Sequence, residues 1–139
     1  MKIRNIWEDV QKPLELHTDS RGSIVDLFYN DIINHVATIV SEPHAIRGNH
    51  YHKETTQHML MIKGSLEYWY KPVDSKEKAK MVIAKEGDLV STGPNEIHAL
   101  RIGHKGNKFI VFSQGIRGGK DYESDTFRVD NIIGEGWMN

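Results

Sequence analysis

No stretch of this 139-residue chain repeats apolar residues at the helical period, and that confines it to β structure. In place of helices it carries short apolar or alternating runs at even spacing, separated by turn residues. Val36–Ser41, His58–Ile62, Ser65–Tyr70, Met81–Ala84, Leu89–Thr92, Ile97–Ile102 and Lys108–Ser113 each have the pattern of a strand. Lys63–Gly64 predicts a hairpin turn between the second and third of these, and Glu86–Gly87–Asp88 and Pro94–Asn95 predict two more turns. Nearer the start, Pro13–Leu16 is a short candidate strand and Asp19–Gly22 a turn. In Ser23–Tyr29 the residues Val25, Leu27 and Tyr29 share one face and Ile24, Asp26 and Phe28 the other, which predicts a strand covered on both sides. A turn at Gly115–Gly119 leads into Asp121–Val129, where Tyr122, Asp125 and Thr126 alternate with less committed positions. Many short strands of this kind close into an all-β barrel or sandwich. With no repeat, linker or low-complexity tract, residues 1–139 are expected to form a single domain large enough to bury its own core.

Composition removes several classes of function. The formal charge is −1, so there is no electrostatic footprint for nucleic acid or a membrane surface, and an anionic partner has to be held by a local pocket. There are no cysteines, which excludes disulfides, thiolate metal sites and a cysteine nucleophile, and fits a cytoplasmic protein. The first residues lack an apolar leader core, and no run approaches the roughly 18 apolar residues of a membrane span. A soluble cytoplasmic protein is the expectation.

The residues that could do chemistry gather between Arg47 and Gly64. His50 and His52 are two apart, so in an extended strand both imidazoles reach toward one point. Gln57 follows in the same stretch, and His98 stands in a second one, just past the Pro94–Asn95 turn. Three neutral imidazoles and an amide oxygen form a donor set for a divalent transition metal: Zn²⁺, Fe²⁺, Ni²⁺ or Mn²⁺. Gln57 is either a weak carbonyl-oxygen ligand or a group that orients an imidazole or a substrate hydroxyl. If a metal takes His50, that residue is not also a free base. His58 points to the opposite face, and His17, His35, His44 and His104 have no motif around them. Arg47 and Arg21 are each either a two-pronged clamp for phosphate or carboxylate or a partner in a surface ion pair. Tyr68 and Tyr70 share one face and Trp69 the other, for stacking on a base or sugar or for plain core packing.

His50, His52, Gln57 and Gly64, followed by Gly87, Pro94 and His98, resemble the two sequence motifs of the cupin superfamily. Asp19-x-Arg21-Gly22 with Arg47-Gly48-x-His50 is similar, more narrowly, to the cupins that act on nucleotide-linked 4-keto sugars. Three subgroups share that pattern: dTDP-sugar 3,5-epimerases with a catalytic His and no metal, dTDP-sugar 3,4-ketoisomerases, and the C-terminal cupin of bifunctional UDP-sugar enzymes of capsule synthesis, which binds zinc. The wording Arg47-Gly48-Asn49-His50-Tyr51-His52 is nearest the last, although Gln57 stands where that subgroup has Glu. The fold implied is the cupin jelly roll, a double-stranded antiparallel β-helix.

That resemblance implies a nucleotide-sugar epimerase or ketoisomerase of surface polysaccharide synthesis. The roles it suggests are catalysis by His50, assisted by Tyr68 or Tyr70, substrate binding by Arg21, Arg47 and Asn49, and a divalent metal, zinc first, on His50, His52, Gln57 and His98. A 4-keto sugar has acidic hydrogens beside its carbonyl, so one base and one proton donor suffice for epimerisation or keto migration. Two other classes stay open: a metal-dependent cupin dioxygenase or lyase acting on a small acid, and a non-catalytic sugar-binding cupin. Exposed sheet edges predict a homodimer.

Overall fold

The computed structural model describes residues 1–116, 119–121 and 123–136; Arg117, Gly118 and Tyr122 of the predicted C-terminal turn and strand lie outside them. Among the described residues ten strands form: β1 (Lys2–Asn5), β2 (Leu16–Asp19), β3 (Gly22–Val25), β4 (His35–Ser41), β5 (Ile46–Tyr51), β6 (Thr56–Pro72), β7 (Lys80–Ala84), β8 (Asp88–Thr92), β9 (Glu96–Gln114) and β10 (Phe127–Arg128). A single 3₁₀ turn spans Gly119–Asp121.

Two long strands organise the rest. β6 and β9 run antiparallel from Thr56↔Gln114 to Pro72↔Glu96. The first part of β6, Gln57–Leu60, takes β8 on its free edge, and β4 lies on the other side of β9 at Asn107–Ser113. The second part, Leu66–Tyr70, takes β7, with β5 beyond β9 at His98–Arg101. β1 and β10 extend the two halves, on β8 and β5. Two antiparallel sheets that share their two central strands make the cupin jelly roll, as expected.

The sharing depends on a break in register. β6 slips between Met61 and Lys63 and again between Gly64 and Leu66. Met59 and Met61 face the core before the break, Leu66 and Tyr68 after it, so the inward positions change from odd to even. β9 changes the other way, with Leu100 and Ile102 inward early and Phe109 and Val111 inward late. Gly64 sits at φ +77°, and a Cβ there would collide with the carbonyl oxygen of Gly106 on the facing strand. The predicted Lys63–Gly64 hairpin is therefore a bulge inside one continuous strand. The glycine signal is real, but it bends a strand and does not end it. Ile97–Ile102 and Lys108–Ser113 likewise merge into β9.

The early segment also departs from expectation. β2 and β3 form a separate two-stranded ribbon, in which Ile24 is 70% exposed, and Pro13–Glu15 is not extended sheet. Only Val25, Leu27 and Phe28 settle, partly buried, against Ile6, Leu60 and Leu89. On the outer face of the second sheet, Trp69 and Ala99 pack under Ile133 of the C-terminal segment. Among the described residues no helix is long and apolar enough to cross a membrane.

Candidate functional site

Three histidines meet because β5 is bulged. Gly48 opposes Ala99 and His50 opposes His98, so Asn49 is an extra residue between them. In an unbulged strand of the same sequence, Asn49 would face His98 and His50 would turn to the opposite side. Gly48, at φ +85°, has its hypothetical Cβ 2.7 Å from the His98 carbonyl oxygen, so only glycine lets β5 approach β9 this closely. Asn49 itself takes φ 56°, a left-handed conformation that asparagine tolerates. One row of directly opposed residues then crosses the sheet on one face: Arg128 of β10, His50, His98, and Tyr70 of β6.

His52 completes the cluster from just past the end of β5, fully buried. One ligand atom from each of His50, His52 and His98 lies within 4.8 Å of the others. Their ring centroids are 4.7 to 5.4 Å apart. His52 Nδ1 donates to the Asp125 carbonyl oxygen at 2.7 Å and His98 Nδ1 donates to that of Glu96 at 3.2 Å. A carbonyl only accepts, so in each neutral ring Nε2 is the lone-pair nitrogen, as in an imidazole set to bind a cation. Gln57 Oε1 lies 3.2 Å from His52 Nε2, where oxygen and nitrogen both offer lone pairs to the same space. The donor set therefore fits a divalent metal, with His50, His52 and His98 as nitrogen ligands and Gln57 as an oxygen ligand.

Asp125 holds this arrangement together. Besides binding His52 through its carbonyl, it accepts from the amides of Lys53, Glu54 and Thr55 at 2.8 to 3.0 Å and from the Thr55 hydroxyl at 2.8 Å. Burial alone would raise its carboxyl above the ordinary range, but these four donors outweigh it and hold it lower.

His50, Gln57 and His98 open on a cavity of about 320 Å³, with an apolar floor that includes Met59, Leu100 and Phe109. Arg47, Glu123 and Arg128 also line it. Arg47 is thus on the wall, as expected, its guanidinium fixed by Nε to Ser41 Oγ at 2.8 Å and Nη2 to the Val40 carbonyl at 3.2 Å.

Other expected residues lie elsewhere. Tyr68 is fully buried and does not line the cavity. Its hydroxyl bonds to Thr92 Oγ1, its ring lies parallel to that of His98 with centroids 6.1 Å apart, and burial pushes the phenol well above its ordinary range. Tyr70, next to His98 in the row, lines a smaller neighbouring pocket with Lys71 and Lys80. Asn49 spends its side chain on the C-terminal segment, accepting from the Ile132 amide at 2.9 Å and donating to Asn131 Oδ1 at 3.3 Å. It is not among the cavity residues. Arg21 is on the exposed ribbon, ion-paired with Asp19 at 2.7 Å, and is not among the cavity residues. His58 faces away from the cluster, as expected, and donates to or accepts from Ser91 Oγ at 2.7 Å. Asp125, Glu123 and Arg128 were not foreseen as site residues; they come from the irregular end of the chain, where no motif marks them.

Residues 17–123 match the family described as polysaccharide biosynthesis C-terminal domain. The chain belongs to that family. Solved structures with a similar fold include a 3,4-ketoisomerase from Helicobacter canadensis, at TM-score 0.71 and 24% identity over 92% of this chain and 90% of that one. The WlaRB TDP-quinovose 3,4-ketoisomerase from Campylobacter jejuni gives TM-score 0.70 at 22% identity, over 92% of each chain. The capsular polysaccharide assembling protein CapF from Staphylococcus aureus gives TM-score 0.63 at 18% identity over 87% of this chain, which spans only 34% of that protein. No curated protein sequence matches. The jelly-roll fold expected from the two histidine motifs is thus shown, and the solved structures that share it include sugar 3,4-ketoisomerases.

Proposed function

We propose that this domain is an isomerase acting on a nucleotide-linked 4-keto sugar, as an epimerase or ketoisomerase. The observation that carries the reading is the cluster of His50, His52 and His98, of which His50 and His98 open on a cavity whose wall also holds Arg47 and Arg128. The family and the similar folds named above support it, since a TDP-sugar ketoisomerase is among them.

In this reading the two guanidiniums hold the anionic nucleotide end, and the apolar floor receives the less polar face of the sugar. Bound to the histidines and Gln57, a divalent metal, zinc first, would supply Lewis acidity toward the sugar carbonyl. Asp125 and the Glu96 carbonyl keep His52 and His98 in the tautomer that offers Nε2. His50 takes the proton beside the carbonyl when the cluster holds no metal, and serves as a ligand when it does. Tyr68 is given no proton-transfer role, because its hydroxyl is engaged with Thr92 away from the cavity. An oxygen-dependent reaction of a three-histidine cupin would instead consume O₂ in the presence of Fe²⁺.

Elemental analysis of the protein purified without added metal or chelator, beside the variant carrying His50→Ala and His98→Ala, is the first test. About one equivalent of a transition metal, lost in the variant, is expected. No metal in either, with both folded, would leave His50 as the base. Turnover of dTDP- or UDP-linked 4-keto sugars in D₂O, with deuterium appearing at C3 or C5, tests the reaction, and its absence for both nucleotides would overturn it. The exposed apolar residues Ile24, Ile32, Val36 and Val40 further support a homodimer, for which light scattering at micromolar concentration should give twice the chain mass.

A further inference from the structure

The two arginines on the cavity wall are held in different ways. Arg47 donates to a hydroxyl and a backbone carbonyl, neutral acceptors that orient its guanidinium without cancelling its charge. Arg128 is opposed by an acid. Its Nη2 donates to both oxygens of Glu123, at 3.0 and 3.1 Å, and Glu123 lines the same cavity. The ladder places Arg128 directly across from His50, so the group that pairs with Arg128 stands at the entrance to the histidine cluster.

The side chains of this pair are 64% and 53% exposed. An ion pair so open to water is weak and exchanges readily. A diphosphate offers a guanidinium more oxygens and more charge than one carboxylate does, and so can take Arg128 from Glu123, whereas a singly charged acid gains little by the exchange.

We propose that Glu123 is an internal competitor for Arg128: it occupies the place of the substrate's diphosphate, gives way to it, and makes the cavity select diphosphates over small carboxylates. Arg47 and Arg128 then close on the diphosphate as a pair. This inference rests on the nucleotide-sugar reading of the site.

Calorimetric titration of dTDP and of UDP into the wild-type chain, Glu123→Gln, Arg128→Ala and the double variant tests it, with melting curves to confirm folding. Glu123→Gln should bind the preferred nucleotide about two- to fivefold more tightly, the worth of one exposed ion pair. Arg128→Ala should bind it roughly tenfold or more weakly, the loss of a charge-assisted contact to phosphate. In the Arg128→Ala background, Glu123→Gln should no longer tighten binding, since the competition has lost its object. If the wild type binds but Glu123→Gln binds equally or less well, or Arg128→Ala binds as the wild type does, the competitor role is refuted and the nucleotide reading stands. If neither nucleotide binds the wild type or Glu123→Gln, both are refuted.

Discussion

The inner and outer faces of β6 and β9 carry similar residues and put them to different uses. On the inner face His98 and Tyr68 lie beside His50, and the histidine nitrogens are turned toward one another at the edge of a cavity. On the outer face of β6, Glu67 and Trp69 on either side of Tyr68 are just as deeply buried. There the partners are protein groups gathered on one carboxylate oxygen: Trp69 Nε1 donates to Glu67 Oε1 at 2.9 Å, and Arg101 Nη1 stands 3.5 Å from the same oxygen. Arg101 also donates to the carbonyls of Gly136 at 2.6 Å and Gly134 at 3.1 Å, tying down the C-terminal segment. Burial alone does not mark a site. What separates the faces is the partner: on one side lone pairs converge on space a cation can fill, and on the other an acid has a guanidinium and an indole beside it and the guanidinium is tied to two carbonyls.

The outer face should therefore be the more costly to disturb and the less relevant to ligands. Arg101→Ala leaves the buried Glu67 without its counter-charge and should cost about 3–5 kcal/mol in chemical denaturation. Metal content and nucleotide affinity should stay unchanged. Adding Glu67→Gln should return part of the loss, and a fall in metal content with Arg101→Ala would erase the distinction between the faces.

Asp125→Ala tests the opposite side. Three amides and a hydroxyl lose their acceptor, for a cost of about 3 kcal/mol, and here metal retention should fall as well, because the loop carrying His52 is released. The same carboxylate sets an acid limit. Its folded pKa lies below the ordinary value of 3.8, so its stabilisation is fully present above pH 3.8 and is lost as pH falls below that toward the folded value. Denaturation midpoints of the wild type should drop in that window, and the drop should shrink in Asp125→Ala. The smallest effect is expected on the ribbon, where Arg21→Ala breaks only an exposed ion pair and should leave the denaturation midpoint where it is in the wild type.

The parts of this molecule legible in the sequence are those set by local pattern. Alternation gave the strands, and the spacing of His50, His52 and His98 gave the cluster, because a two-residue step in extended chain fixes which way side chains point. Less legible was anything decided by long-range pairing. Lys63–Gly64 looks like a turn in isolation, and only its opposition to Gly106 makes it a bulge. Asn49 sits inside a binding motif, yet its side chain serves Asn131 and Ile132, 82 and 83 residues away. Asp125 supports His52 from 73 residues downstream, a separation over which one sequence carries no signal. Tyr68 was placed on the correct face, but facing inward did not mean reaching the cavity.

The bulge in β6 works as a frameshift works in a coding strand. Downstream of it the inner and outer lines of residues are read in the other phase, so Tyr68 and Tyr70 face inward and Glu67 and Trp69 outward. Were the chain to run straight from Ile62 to Ser65 with no residue added or lost, the upstream phase would continue, carrying Glu67 and Trp69 inward and Tyr68 and Tyr70 outward, without altering a single residue of the second half of the strand. The chemistry that this wall presents is thus encoded as much by the bend that Gly64 permits as by the identity of the side chains beyond it.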